Sequence, residues 1–327
     1  PGSDDQYLVT RPKDAPNLHA YTDSSSSAQS MTSGTKTYNN AVNVDVAGQQ
    51  VLTIAHIAQD AGYAVGAVTS VPISHATPAA AYTHNVHRDD YQDLTRDLIG
   101  RPSISHPDEP LPGMDVIIGG GYGTNREKDN GQGENFVPGN PVLTDEDREA
   151  VDLANGGKYV VAIRTAGVSG KERLAEAAGQ AAEGSHRLLG FYGYGPGAGH
   201  LPFQTADGKY DPTIGRQKKA EKYSEPDLHE NPTLADMARA ALQVLEKDPE
   251  GFWLMLEAGD VDWANHDNNL DNSIGAVNSG DAAIRVVAEW VEKNSNWVET
   301  VMIVTADHGH YLFLDRPELL IPAEAGK

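Results

Sequence analysis

An α/β fold is what this sequence predicts: a central, mostly parallel sheet with helices on both faces, carrying loop-rich insertions. Two observations predict it. Short apolar, β-branched runs alternate along the chain with stretches of helical periodicity. The 327 residues, 39% of them hydrophobic, are enough for a core of ordinary size, in one large α/β domain or two smaller ones.

In chain order the elements begin with a helix over 51–59 (VLTIAHIAQ) and a strand over 64–71 (AVGAVTSV). A strand follows over 114–119 (MDVIIG), then a helix over 145–154 opened by DED, and a strand over 159–164 (YVVAIR). Next come a helix over 171–183 (KERLAEAAGQAAE), a strand over 188–191 (LLGF), and a helix over 233–246 behind Thr233. The last three are a strand over 252–257 (FWLMLE), a helix over 284–293 ending at Asn294, and a strand over 301–306 (VMIVTA). Two loop-rich stretches, 119–140 and 193–232, interrupt the alternation, and loops of that length in a compact domain are functional or insertions. No internal repeat is present.

Composition excludes several classes. With no cysteine there are no disulfides, thiolate ligands or cysteine nucleophiles, so a metal must be held by His, Asp, Glu and hydroxyl groups. The 47 acidic and 25 basic residues give a formal charge of −22, which argues against a nucleic-acid backbone partner and against anionic lipid. Acidic loops such as 145–147 and 267–271 read as a solvated surface that supports solubility in salty water. No apolar run reaches the roughly 18 residues of a membrane helix, and the N-terminal residues do not read as a signal peptide.

In open α/β sheets ligands bind beyond the carboxyl ends of the strands, and three predicted strands end in metal-ligand residue types. The run 252–257 leads into Glu257, Asp260, Asp262 and His266; 301–306 leads into Asp307 and His308; 64–71 is followed by His75, Ala76 and Thr77. One such ending means little, because Asp and His are common loop residues; the convergence of three points to a metal centre. Asp262 and His266, four apart, share one face of a helical turn. Adjacent Asp307 and His308 diverge on an extended backbone and meet one site only if the chain turns sharply. Upstream, Asp23 and Ser24 open a serine-rich run that composition alone would make a flexible linker. Small residues also let a helix N-terminus pack closely, and a hydroxyl placed there sits where backbone N–H groups favour phosphate.

Thr22-Asp23-Ser24 leading to Gly34-Thr35-Lys36-Thr37-Tyr38-Asn39, with His75-Ala76-Thr77-Pro78, Glu257-Ala258-Gly259-Asp260-Val261-Asp262, His266 and Thr305-Ala306-Asp307-His308-Gly309, resembles the alkaline phosphatases. The resemblance covers most of the chain in the right order. It implies phosphate monoester hydrolysis with Ser24 as nucleophile, through a phosphoserine. It implies two zinc ions, one held by Asp262 and His266 and the other by Asp307 and His308, with a third divalent ion, usually magnesium, at Thr77 and Glu257 near His75. Arg88 matches the phosphate-clamping arginine and Asp23 its partner, although the plainer reading of Arg88 is a surface residue in a helical run 79–88. The chemistry suits these types: a zinc-held oxygen loses its proton more readily, two ions about 4 Å apart stabilise attacking and leaving oxygens together, and an arginine fork grips phosphate oxygens in parallel.

The sequence also departs from the family. Residues 1–22 lack the family's Gly-Asp-Gly-Met-Gly-like strand end, and the chain reaches Lys327 without the additional histidine that completes the first zinc site. The expectation is therefore one alkaline-phosphatase-like domain over 1–327, lacking the family's first strand and its C-terminal segment, from a longer protein. His310 is expected to orient Asp262. His75 and Trp263 suggest zinc or cobalt as alternatives to magnesium at the third site. The resemblance further implies small phosphate monoesters as substrates, a homodimer, and a periplasmic or secreted location. Rival readings are a phosphodiesterase or sulfatase on the same scaffold, or a non-catalytic acidic secreted binding protein.

Overall fold

Five parallel strands form one sheet in the order β3-β4-β2-β1-β5. They are β1 (Ala64–Pro72), β2 (Val116–Gly120), β3 (Tyr159–Ile163), β4 (Arg187–Phe191) and β5 (Phe252–Glu257). The computed structural model describes residues 22–128, 135–216 and 220–310. Residues 1–21 and 311–327, where the family's first strand and C-terminal segment were expected to be lacking, and parts of both long loops, lie outside these described residues. Ten helices are described: α1 (Ser24–Ser33), α2 (Ile54–Asp60), α3 (Ala76–Ala79), α4 (Tyr91–Ile99), α5 (Asp145–Val151), α6 (Gly170–Gly184), α7 (Glu225–His229), α8 (Leu234–Leu245), α9 (Asp260–His266) and α10 (Leu270–Asn294).

The predicted α/β class is the observed one. β1 is buried at all nine positions, as a strand flanked on both sides and covered on both faces must be. α6, α8 and α10 cover one face, where Leu174, Met237 and Leu242 pack on Val116 and Leu188. On the other face Ala55 of α2, Leu98 of α4 and Val151 of α5 close over Val65, Ile117 and Leu189. Each leucine, isoleucine, valine or methionine among them contributes about 1.5–3 kcal/mol when fully buried. Threonines cap α2 and α8: Thr53 pairs reciprocally with His56, and Thr233 with Asp236.

Four expected elements differ from the structure, and α4 is a helix that the sequence reading did not anticipate. Residues 301–306 are not a strand; Val301, Ile303 and Val304 are 83%, 80% and 64% exposed. A β-branched run supplies propensity, but a strand exists only as part of a ladder, and among the described residues none pairs with this run. α10 runs from Leu270, fourteen residues before the predicted start at 284. Its first half is weak in intrinsic propensity (Asn272, Ser273, Gly275), yet it packs its small residues against the chain at Gln204, where a β-carbon on Gly275 would run into the Gln204 carbonyl. The helix predicted over 145–154 stops at Val151, because Asp152 turns to an extended conformation and caps the next turn. The helical run 79–88 is absent: α3 ends at Ala79, and the chain pairs Asn85 with Val42 before Arg88 donates its N–H to the Asn40 carbonyl at 2.8 Å.

The 193–232 excursion is fastened across the carboxyl end of the sheet. Gly121 donates to the Gly199 carbonyl at 2.6 Å and Leu201 to the Ser70 carbonyl at 2.8 Å. Gly193, at φ 135°, lies so close to Gly199 that no side chain fits between them. Arg164, just past β3, reaches Glu230 at 2.9 Å, Asp227 at 2.8 Å and the Gly193 carbonyl at 2.9 Å.

Candidate active site

The serine-rich run is a helix. Asp23 caps it, accepting from the Ser25 and Ser26 N–H groups at 3.3 and 3.1 Å and from both hydroxyls at 2.8 and 2.6 Å. Ser30 and Ser33 return their hydroxyls to carbonyls four residues back, so serines that would favour a turn are satisfied inside the helix. Gly34, at φ 71°, ends it. Ser24 is thereby fixed as the first residue of α1, 6% exposed.

Its hydroxyl lies 3.0 Å from His308 Nε2. His308 Nδ1 faces the Gly309 carbonyl at 3.0 Å, which can only accept, so the ring proton sits on Nδ1 and Nε2 presents a lone pair. One helical turn on from Ser24, Ser27 donates to Asp307 Oδ2 at 2.7 Å. Asp307 and His308 thus face α1 together, through different serines.

α9 brings Asp262 and His266 onto one face, as their spacing predicts. Asp262 Oδ1 has three imidazole nitrogens around it: His310 Nε2 at 3.1 Å, His266 Nε2 at 3.3 Å and His308 Nε2 at 3.6 Å. The oxygen is buried, yet none of these contacts has hydrogen-bond geometry. One oxygen and three nitrogens converging without a shared proton is the donor set of a nitrogen- and oxygen-bound ion such as zinc. His308 stands 3.8 Å from Asp307, so it lies between Asp307 and the Asp262 cluster. His310 contacts Asp262, as expected, and also joins the cluster itself.

Glu257 is the last residue of β5 and stands opposite Thr69 in the β1–β5 register. Burial pushes its carboxyl up to about 7; hydrogen bonds from Thr69 and Thr77 oppose that shift, while the charges of Asp307 and Asp262 add to it. Three carboxylates crowded this closely repel one another, and a cation among them relieves the repulsion. His75, the cap of α3, is held down to about 3 by burial first and then by the charges of Arg88 and His266. Its ring meets Trp263 edge-on at 5.6 Å, and Trp263 meets His200 at 5.2 Å.

Arg88 closes the site on the other side, its Nη1 donating to Asp23 Oδ2 at 3.0 Å and its Nη2 lying 3.3 Å from His75 Nε2. Burial alone would raise the Asp23 pKa; hydrogen bonds from Ser26, the Asn40 backbone and Ser25, with the Arg88 charge, instead hold it at about 2. The proposed nucleophile, the arginine and its partner, and the candidate ligands therefore fall in one connected neighbourhood, whereas Asp260 turns instead to His200 Nδ1 at 3.3 Å. Sequence reasoning missed Ser27 and Thr69. The three-residue step from Ser24 signals the first, while Thr69 becomes visible only once the strand register is known.

Comparison with known proteins gives a consistent result. A sequence model of the family described as "Alkaline phosphatase" matches residues 2–317. Alkaline phosphatase 3 of Bacillus subtilis (strain 168) is 27% identical over 94% of this chain and 54% of its own length. An alkaline phosphatase of Escherichia fergusonii is 30% identical over 92% of this chain and 60% of its own. Among solved structures, the cold-active alkaline phosphatase of a psychrophilic Shewanella superposes with a TM-score of 0.56 at 22% identity, covering 84% of this chain and 51% of that one. The chain spans between half and two thirds of the length of these relatives.

Proposed function

The chain belongs to the alkaline phosphatase family, and from that premise we propose that it hydrolyses phosphate monoesters with Ser24 as the nucleophile. The observation that carries this reading is the Ser24 hydroxyl at the start of α1, 3.0 Å from the His308 lone pair and next to the Asp262 cluster.

In this reading the Ser24 hydroxyl gives up its proton to solvent and its oxygen attacks phosphorus in line, forming an oxygen–phosphorus bond as the ester oxygen leaves with its electron pair and takes up a proton. Water then cleaves the phosphoserine and releases inorganic phosphate. The α1 N-terminus favours the anionic phosphoryl group. Arg88, held in place by Asp23, turns its remaining N–H groups to the non-bridging oxygens.

Asp262 and His266, with His310 beside them, are the residues to hold one zinc, and Asp307 and His308 are assigned to a second. Glu257 and Thr77, with His75 nearby, are assigned to a third divalent ion, magnesium with zinc or cobalt as alternatives. When bound, these ions make a coordinated oxygen more acidic and stabilise charge on the attacking and leaving oxygens. Small phosphate monoesters, a homodimer and a periplasmic or secreted location complete the reading, as family membership implies. Among the described residues, no helix is long and apolar enough to cross a membrane.

The test uses p-nitrophenyl phosphate and bis-p-nitrophenyl phosphate, with and without chelator. Zinc-restored hydrolysis of the monoester is expected. Preference for the diester would favour a phosphodiesterase, chelator-insensitive turnover would remove the metals from the reading, and no turnover after zinc is restored would favour a binding protein.

A further inference from the structure

Among the described residues a second group of metal-ligand side chains lies apart from Ser24: His84, Asp97 and His106, each offering one ligand atom within 4.8 Å of the other two. His84 is 4% exposed, and its Nε2 lies 3.0 Å from the Val51 carbonyl oxygen. A carbonyl only accepts, so the ring proton is on Nε2 and Nδ1 carries a lone pair. That Nδ1 is buried with no hydrogen-bond partner. A buried acceptor left unmatched is destabilising, so something is expected to meet it.

The surroundings point to a cation. The His106 ring stands edge-on to His84 with centroids 5.1 Å apart, and its Nδ1 is 2.9 Å from Asp97 Oδ1. Asp97, on α4, also takes the His84 N–H at 3.0 Å and the Ser103 hydroxyl at 2.6 Å, which fixes its carboxylate. His56 stacks on His84 at 5.1 Å but is no donor, because its Nδ1 accepts the Thr53 N–H at 3.1 Å and its proton is therefore on Nε2.

We propose that His84, Asp97 and His106 hold a divalent cation of the zinc type, at a site separate from the one around Ser24. Two imidazoles and a carboxylate without thiolates suit zinc better than magnesium or calcium, which prefer oxygen alone. Val51 orients His84 from outside the site, as ligand histidines are usually oriented by a carbonyl or carboxylate on the other ring nitrogen. On binding, the ion takes the place of the proton between His106 Nδ1 and Asp97, and the neutral His106 ring carries its proton on Nε2 instead. The site ties the turn before Asn85 to α4 and to the 101–106 loop. Because Asn85 pairs with Val42 and Arg88 follows three residues later, the ion braces the loop that carries Arg88.

Zinc per chain, counted by mass spectrometry after equilibration in zinc-buffered solution, is expected to be one fewer in His106→Ala and in His84→Gln than in the wild type. An Asp262→Ala variant is expected to keep this zinc, which separates the test from the fate of the phosphatase reading. In crystals of the wild type, an anomalous difference map at the zinc edge is expected to place a peak about 2.0–2.1 Å from His84 Nδ1. Equal zinc counts in wild type and variants, or no peak there, would overturn the proposal. If neither variant folds, the wild-type map decides alone.

Discussion

Ser24 and Asp23 are adjacent, yet they make separate demands on the protein. Ser24→Ala removes the proposed nucleophile while leaving α1 capped, since the cap is Asp23. We expect the radiolabelled phosphoserine to disappear and kcat to fall on the order of 10³-fold or more. An undiminished burst would move the nucleophile to Ser25, Ser26 or Ser27. Asp23 instead carries a pH signature. Its folded pKa of about 2 lies below the ordinary value of 3.8, so its contribution is complete above about pH 4 and is lost as pH falls toward 2. The contribution is on the order of 2 kcal/mol, for a side chain that is 16% exposed. In metal-free protein, the stability gap between wild type and Asp23→Asn, measured in urea, is expected to narrow across that window. A gap independent of pH would mean that the cap contributes through its shape alone. Glu257 and His75 were legible in the sequence because they follow strands, and Asp262 and His266 because they sit four apart; Asp307 and His308 were legible from the family motif, since the strand predicted before them does not form. Ser27 was not, since its partner Asp307 lies 280 residues away and only the fold brings the two together.

β1 and α8 were read correctly from local signals, the first half of α10 and the run 301–306 were misread because tertiary packing decides them, and α4 was missed although its amphipathic pattern is local. β1 and α8 carry their assignment in their own residues: an apolar run buried at every position, and a capped amphipathic helix. The first half of α10 is polar and glycine-containing, so its helicity comes from the surface it covers. The apolar run 301–306 shows the converse, strand propensity without a strand beside it. The same reasoning makes Arg164 one of several fastenings of the 193–232 excursion, and the one that a side-chain substitution can loosen. Arg164 holds Asp227, Glu230 and the Gly193 carbonyl with one planar guanidinium, and a lysine ammonium cannot reach all three in that geometry. Arg164→Lys is expected to lower stability by about 2 kcal/mol in urea and to speed trypsin cleavage within the excursion, while β3 itself stays folded. Unchanged cleavage would show that the glycine contacts at Gly121, Gly193 and Gly199 hold the excursion without the arginine.

At the scale of the whole molecule the governing quantity is the formal charge of −22. Two opposite salt effects follow from it. Screening weakens attractive pairs and also weakens the repulsion among acidic groups. The attractive side resists screening where it is buried: Arg96, clamped between Asp93 at 3.1 Å and Asp147 at 3.0 Å, has a side chain only 10% exposed. The repulsive side lies mostly in surface acids, in a chain with 47 acidic residues and 25 basic ones. Repulsion is therefore the term that salt changes most, as the Debye length shortens from about 30 Å at 0.01 M to about 3 Å at 1 M. At pH 7.5 the melting temperature is expected to rise with sodium chloride, by roughly 2–4 °C for each kcal/mol of repulsion removed. Near pH 4.8, where the net charge vanishes, the same titration is expected to be flat or to turn downward, because only the attractive pairs remain to be screened. Equal slopes at the two pH values would show that salt acts through apolar burial or specific ion binding, and that the acidic excess does not set the stability of the fold.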